Sequence, residues 1–330
     1  MTGYHHTAGT LTRLALAAAC TFAAMAPGLA SAAWPERPVT LVVPFPAGGS
    51  VDAMARTMGA RLSQTWGQPV LVDNRPGAGT MIGSEAVGRA DPDGYTLLLN
   101  VTSLIQAPHL RKSITFDPVK QLTPINMAAT TQLILVVNDK VPATTPAELA
   151  DLARANPKDY SYGSYGAGSS GHLYMHIFNE QNKLNMVHVA YRGEAPSVTD
   201  LLGGQIQAVI MSGQGAVPHM KTGKMRALAV TGPERAPFLP DVPTFKELGY
   251  TGMAESGWYG VFGPAGMDPA LVKKISDDVN AVIKDKQVID QLAPAGLIML
   301  GSEPAQFAEI VQRDNQKWGD VIRKSGIQLD

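Results

Sequence analysis

Residues Val39–Asp52, reading Val-Thr-Leu-Val-Val-Pro-Phe-Pro-Ala-Gly-Gly-Ser-Val-Asp, constrain the fold more than any other stretch. The apolar, β-branched run Val39–Val43 stops at Pro44, which cannot donate to a strand ladder. A Pro/Gly loop follows, and then apolar residues at Val51, Met54, Ala55, Met58 and Leu62, the spacing of one helix face. Gly48 and Gly49 let the backbone bend closely, and Ser50 is a residue type that caps helices. The segment therefore predicts a strand, a glycine loop and a helix whose first N–H groups face the loop. Such an end attracts an anion through its unpaired donors and its dipole. An ordinary tight turn between strand and helix carries the same signature. Phe45 would wall such a pocket. Asp52 lies in the first helical turn, where an acid stabilises the dipole by ~0.3–1 kcal/mol and repels an anionic ligand. It is expected to brace the loop or to face a donor on the ligand.

The device recurs at Tyr162-Gly163-Ser164-Tyr165-Gly166-Ala167-Gly168-Ser169-Ser170-Gly171-His172, between a short strand and the helical pattern His172–Phe178. Ser164, Ser169 and Ser170 add hydroxyl donors to the amides, and Tyr165 can roof a bound ligand. The loop also contains G-x-G-x-x-G at Gly166, Gly168 and Gly171, with Glu194 standing 23 residues further on, near where a ribose-binding acid would lie. A dinucleotide-dependent oxidoreductase is therefore a competing reading, and an export signal argues against it.

That signal is read from the N-terminus. Arg13 precedes an apolar core, Leu14–Met25, and Ala30-Ser31-Ala32 forms a small-x-small cleavage site, so residues 1–32 are expected to be a signal peptide that directs the rest to the periplasm. The core is too short for a permanent membrane anchor, and no later stretch reaches ~18 apolar residues. The single cysteine, Cys20, lies inside the signal, leaving no thiol for a disulfide, nucleophile or metal site in the mature protein. A formal net charge of −1 over 330 residues offers no field for nucleic acid. There is no G-x-S-x-G elbow for a hydrolase. His172 and His176 stand one helical turn apart but lack the H-E-x-x-H glutamate and a third ligand. No cofactor and no metal is expected.

The length implies two lobes. Strand candidates at Val39–Val43, Val70–Asp73, Tyr95–Asn100, Leu133–Val137, Tyr160–Tyr162, Met186–Ala190, Ile206–Met211 and Arg226–Val230 alternate with helical stretches, the pattern of α/β layers with mainly parallel sheets. Helices are expected to open at Thr145-Pro146-Ala147-Glu148, Asp268-Pro269 and Ser302-Glu303-Pro304, the last carrying Phe307, Ile310, Val311, Trp318, Val321 and Ile322 on one face. Polar or proline-rich breaks near 138 and 234–242 predict one lobe from 33–137 and 238–330, and a second from 138–237. Three further turns follow strand ends, where open α/β sheets bind ligands: Asn100-Val101-Thr102-Ser103, Tyr191-Arg192-Gly193-Glu194 and Met211-Ser212-Gly213-Gln214. Arg75 reads as a turn residue, and Arg192 as the better charge partner for an anion.

Taken together, PFPAGGSVDAMAR (44–56), DNRPGAGTMIGSEAV (73–87), DPDGYTLL (91–98), YGSYGAGSSGHL (162–173), YRGEAPSVTDLLGGQI (191–206), GKMRALAVT (223–231) and VPTFKELG (242–249) resemble the Bug/TctC-type receptors, the extracytoplasmic solute-binding subunits of tripartite tricarboxylate transporters. The resemblance spans the whole mature chain. It implies a two-lobed periplasmic binding protein of the second structural class that is not an enzyme. It would close over a small carboxylate and deliver it to a membrane permease, with a sensor kinase as an alternative recipient and a monomer as the default state. Ligand contacts are implied in the first glycine loop (Phe45, Gly48, Gly49, with Ser50 and Asp52 beside them), at Thr102 and Ser103, in the loop Ser164–Ser170 (Ser164, Tyr165, Gly166, Ser169, Ser170), at Tyr191, and at Met211 and Ser212. The family often carries an acid after the strand that ends here in Ile210. Its replacement by Met211-Ser212-Gly213-Gln214 implies that an amino-acid ligand is disfavoured. Tyr165 is bulkier than usual and implies a pocket that tolerates an aromatic or larger carboxylate, and the expected ligand is a di- or tricarboxylate or an aromatic carboxylate.

Overall fold

The computed structural model describes Met1 and residues 34–329, so the expected signal peptide and Cys20 lie outside the described residues. The chain divides into a unit spanning Met1–Glu36 and a second spanning Arg37–Asp330, which carries all the strands described. These are β1 (Val39–Val43), β2 (Val70–Asn74), β3 (Thr96–Val101), β4 (Leu122–Thr131), β5 (Ile134–Asn138), β6 (Ser161–Ser164), β7 (Val187–Ala190), β8 (Ala208–Met211), β9 (Met225–Val230), β10 (Gly257–Pro264) and β11 (Leu297–Met299). The α-helices are α1 (Ser50–Trp66), α2 (Met81–Gly88), α3 (Ser103–Leu110), α4 (Pro118–Gln121), α5 (Pro146–Ala155), α6 (Ser170–Gln181), α7 (Glu194–Gly203), α8 (Gly213–Lys221), α9 (Pro269–Ile283), α10 (Lys286–Leu292) and α11 (Pro304–Ser325).

The strands form two sheets, in the orders β11-β4-β10-β3-β1-β2 and β7-β6-β8-β5-β9. The expected α/β architecture, a sheet with flanking helices in each half, is what the chain adopts. The parallel pairs are β1 with β2 and β3, and β6 with β7 and β8. The sheets are nevertheless mixed. β10 lies antiparallel between β3 and β4, and β5 antiparallel between β8 and β9. Both reversed strands arrive directly from the other sheet, so no crossover helix sets their direction. β5 follows β4 after only Gln132 and Leu133.

That short passage corrects the first expected boundary. Residues 134–137 were expected in the first lobe, but Ile134–Asn138 pairs with β8 and β9 in the second sheet. The chain therefore crosses at Gln132-Leu133. Its return runs between Val230 and Gly257.

β5 shows why the crossing strand is so apolar. Leu135 and Val137 join the large core with Phe178, Leu98 and Phe307, while Ile134 and Val136 pack in a second cluster with Val209, Met211 and Leu201. Successive side chains alternate between faces, so a strand covered on both sides reads as a continuous hydrophobic run. In α11, Phe307, Val311, Trp318 and Ile322 are buried, as the spacing predicts. The Thr145 hydroxyl accepts from Glu148 N–H at 3.2 Å, and the Glu148 carboxylate accepts from Thr144 N–H at 2.6 Å, closing the capping arrangement at α5. No described helix is long and apolar enough to cross a membrane.

Candidate functional site

The turn from β1 to α1 forms as its residue types dictate, with one shift of register. Gly49, in extended conformation, takes the N-cap position, so Ser50 is the first helical residue rather than the cap. The Ser50 hydroxyl instead shares a 2.7 Å hydrogen bond with Tyr259 Oη of β10. Asp52 closes the turn from within. Its carboxylate accepts from Gly48 N–H at 3.0 Å, from Arg56 Nε at 3.0 Å and from Asn74 Nδ2 at 3.0 Å. Burial opposes ionisation of Asp52, but the hydrogen bonds from Arg56, Gly48 and Asn74 outweigh it and hold the carboxyl below its ordinary range. Asp52 braces the loop, consumes the Gly48 N–H, and lines neither cavity described below. The N–H groups at the start of α1 that no intrahelical carbonyl can reach are those of Gly49, Ser50, Val51 and Asp52, and the first three of these residues line a cavity.

These residues open onto a cavity between the two sheets. From the first sheet it is lined by Phe45, Gly49, Ser50, Thr102, Trp258 and Tyr259, and from the second by Tyr165, Ser170, Arg192, Glu194 and Ser212. The crossover residues Thr131 and Leu133 form part of its wall. Thr102 sits beneath it, its hydroxyl accepting from Trp258 N–H at 3.0 Å. The Ser170 hydroxyl donates to Gln106 Oε1 at 2.9 Å, linking α6 to α3 across the cleft. Arg192 is exposed at the edge and has no hydrogen-bond or ion-pair partner among the described residues.

A second cavity adjoins the first and shares Phe45, Tyr165 and Arg192 with it. Ser103, Gly166, Ser169 and Tyr191 line this one, together with the loop 76–80. Tyr191 Oη donates to Asp200 at 2.6 Å, and the Ser169 hydroxyl caps α6 by accepting from His172 N–H at 3.4 Å.

Ser164 and Met211, both expected in the ligand set, line neither cavity. Ser164 lies fully buried beneath the loop, donating to Gly166 O at 2.9 Å and bonded to His188 Nε2 at 2.7 Å. Met211, the last residue of β8, is fully buried in the second core cluster. The histidines under this loop are braces. His172 Nδ1 accepts from Gly168 N–H at 3.1 Å, and its ring stacks on that of His188 with centroids 3.8 Å apart. Burial and the neighbouring His188 push the His172 pKa down to about 3, and burial pushes that of His188 down to about 4.

Two contributors had no reading at the site from sequence. Trp258 and Tyr259 come from β10, a glycine- and aromatic-rich segment with no clean period-two pattern. Glu194, weighed as a ribose-binding acid, instead turns back on the protein. Its carboxylate accepts from Ser212 N–H at 2.9 Å and Ser212 Oγ at 2.7 Å. Burial pushes the Glu194 carboxyl above its ordinary range, and the Ser212 bonds pull it back.

Two mixed α/β halves joined by short crossings, with helix N-termini and turns from both meeting in one cleft, define a two-lobed binding protein. Comparison with known proteins places it more closely. Residues 54–327 match the family described as the tripartite tricarboxylate transporter family receptor, TctC. Protein BugT of Bordetella pertussis is 34% identical over 298 residues, covering 90% of this chain and 91% of that protein. The structure of the periplasmic binding protein BugD is similar at a TM-score of 0.84 and 32% identity, covering 89% of this chain and 99% of that one. That of Rpa4515 from R. palustris, solved with adipate, is similar at a TM-score of 0.83 and 31% identity, covering 89% and 99%. The chain belongs to the tripartite tricarboxylate transporter receptor family, a family of solute receptors rather than enzymes. The competing oxidoreductase reading falls with that membership.

Proposed function

We propose that this chain is a periplasmic receptor that binds a small carboxylate between its lobes and delivers it, as a monomer, to a membrane permease of the tripartite type. The observation that carries the reading is the start of α1, where Gly49, Ser50 and Val51 line a cavity walled by both sheets. The adipate bound to Rpa4515, a structure 31% identical over most of this chain, supports a carboxylate as the ligand class. In this reading the carboxylate sits on the amides of Gly49, Ser50 and Val51, Phe45 and Tyr165 enclose its carbon skeleton, and Ser50, Thr102 and Ser170 supply hydroxyls. The adjoining cavity, with Ser103, Gly166, Ser169 and Tyr191, accommodates the far end of a longer ligand. The lobes are residues 37–131 with 257–329, and 134–230, hinged at the crossings. Ligand holds them together, and the closed form is what the permease recognises.

The test is a thermal melt of the purified protein against di- and tricarboxylates, aromatic carboxylates, amino acids and NAD. A ligand at 100 times its Kd adds about 2.7 kcal/mol of stability, a shift easily read. A shift with carboxylates is expected. A shift with NAD alone would overturn the reading.

A further inference from the structure

Two kinds of group line the first cavity. The start of α1 brings donors and no fixed charge. Glu194, the first residue of α7, brings a carboxylate. Both of its carboxylate oxygens are engaged by a single residue, through Ser212 N–H at 2.9 Å and Ser212 Oγ at 2.7 Å. Ser212 is the N-cap of α8 and makes no side-chain capping bond of its own. The turn at Ser212, from which the family resemblance led us to expect a grip on the ligand's carboxylate, is therefore already filled by an anion that belongs to the chain.

Among the described residues the only other charged residue lining this cavity is Arg192, and it makes no ion pair with Glu194. Glu194 is half-buried, and a carboxylate withdrawn from water without a cation is costly, so structures normally pair such groups. A carboxylate has about four acceptor positions. Ser212 engages two of them, leaving each oxygen a further lone pair. The field of Glu194 also reaches the hydroxyls nearby. Burial raises the pKa of Tyr165 and Tyr259, and the charge of Glu194 raises both further, which keeps both phenols protonated.

We propose that Glu194 is a specificity residue that reads a cationic amine, so that the ligand is an amino carboxylate with its carboxylate on the α1 amides and its ammonium on Glu194. This rests on the carboxylate-receptor reading above and narrows it. It also revises the expectation drawn from Met211-Ser212-Gly213-Gln214, since the acid that seemed missing after β8 is supplied from the first turn of α7 and placed against that same turn. A second carboxylate placed beside Glu194 would meet it as a like charge.

The experiment is titration calorimetry at pH 7 with ligand pairs matched in length, butanedioate against 4-aminobutanoate and pentanedioate against 5-aminopentanoate, together with butanedioate against aspartate. The wild-type protein is expected to prefer the amine-bearing member by at least about tenfold, the scale of one hydrogen bond to a charged group. Glu194→Gln, which retains an acceptor for Ser212 N–H, should level or invert that preference without a large change in the unliganded melting temperature. Glu194→Asp keeps the charge and should keep the preference at lower affinity. A wild-type preference for the dicarboxylates, or a preference that Glu194→Gln leaves unmoved, would overturn the assignment of Glu194 and leave the carboxylate receptor standing. Loss of all carboxylate binding in the wild-type melt panel would instead overturn the receptor reading itself.

Discussion

Gly49 carries more of the account than any other single residue, because its conformation and its surroundings separate binding from folding. Its backbone is extended at φ −89°, and a Cβ placed on it would meet nothing within 4 Å. A side chain there strains nothing in the protein but stands where a ligand must approach the α1 amides. Gly49→Val should therefore change stability only modestly, by about 0.5–1 kcal/mol from the poorer cap, while weakening ligand binding at least about tenfold. Paired melting and calorimetry measurements read the two effects separately. The bracing histidines give a second prediction. His172 and His188 are neutral when folded, with pKa values of about 3 and about 4, whereas an unfolded histidine titrates near 6.5. Below that value the unfolded chain binds more protons, so stability falls as pH drops from about 6.5 towards 4 and below. The His172→Gln variant should show a shallower fall in melting temperature over that range.

The crossings are the elements on which lobe geometry depends, and they are stapled to each other. Gln132 Nε2 donates to Thr231 O at 2.9 Å, Leu133 N–H donates to Thr231 Oγ1 at 2.9 Å, and Thr231 N–H donates to Leu133 O at 2.8 Å. Gln132 is buried, so Gln132→Ala strands the Thr231 carbonyl and should cost about 1–3 kcal/mol in chemical denaturation. An unchanged midpoint would show that water replaces the bond. The elements also show what a sequence can reveal. β1 was legible to the residue, because five β-branched or aliphatic residues end at a proline. The strand regions of β5 through β9 were legible as apolar runs, with ends displaced by a residue or two. β4 and β10 were not. Pro124, Asn126 and a run of small residues disguise β4, while Gly257, Gly260 and Gly263 break the pattern of β10. Both are central strands whose pairing comes from the fold rather than from local propensity. The glycine loops were legible as turn chemistry, but which hydroxyls face the cleft was not. Ser164 and Ser169 are five residues apart, and only the fold puts one beneath the loop and the other at a cavity wall. Glu194 and Ser212 meet only because α7 and α8 start side by side, which no spacing in the sequence announces.

At the scale of the whole molecule, the two halves share the large apolar core and are also joined across the cleft by polar bridges. Besides the Ser170–Gln106 bond, Gln214 Nε2 donates to Gly48 O at 3.3 Å. Bridges of this kind exist only while the halves stay together, so they should govern how fast ligand leaves. Gln214→Ala is expected to raise the dissociation rate about 2- to 10-fold, the scale of one neutral hydrogen bond, with little effect on association. Stopped-flow measurement with any carboxylate found by the melt panel reads both rates. The central claim, that the start of α1 is where a carboxylate is held in the cleft, is tested most directly by a thermal melt of wild-type protein and Gly49→Val side by side, with and without a saturating carboxylate. The wild type should show a clear upward shift, about 2.7 kcal/mol at 100 times Kd, and Gly49→Val little or none, from nearly equal unliganded melting temperatures. An equal shift in both proteins would place the carboxylate elsewhere and contradict that claim.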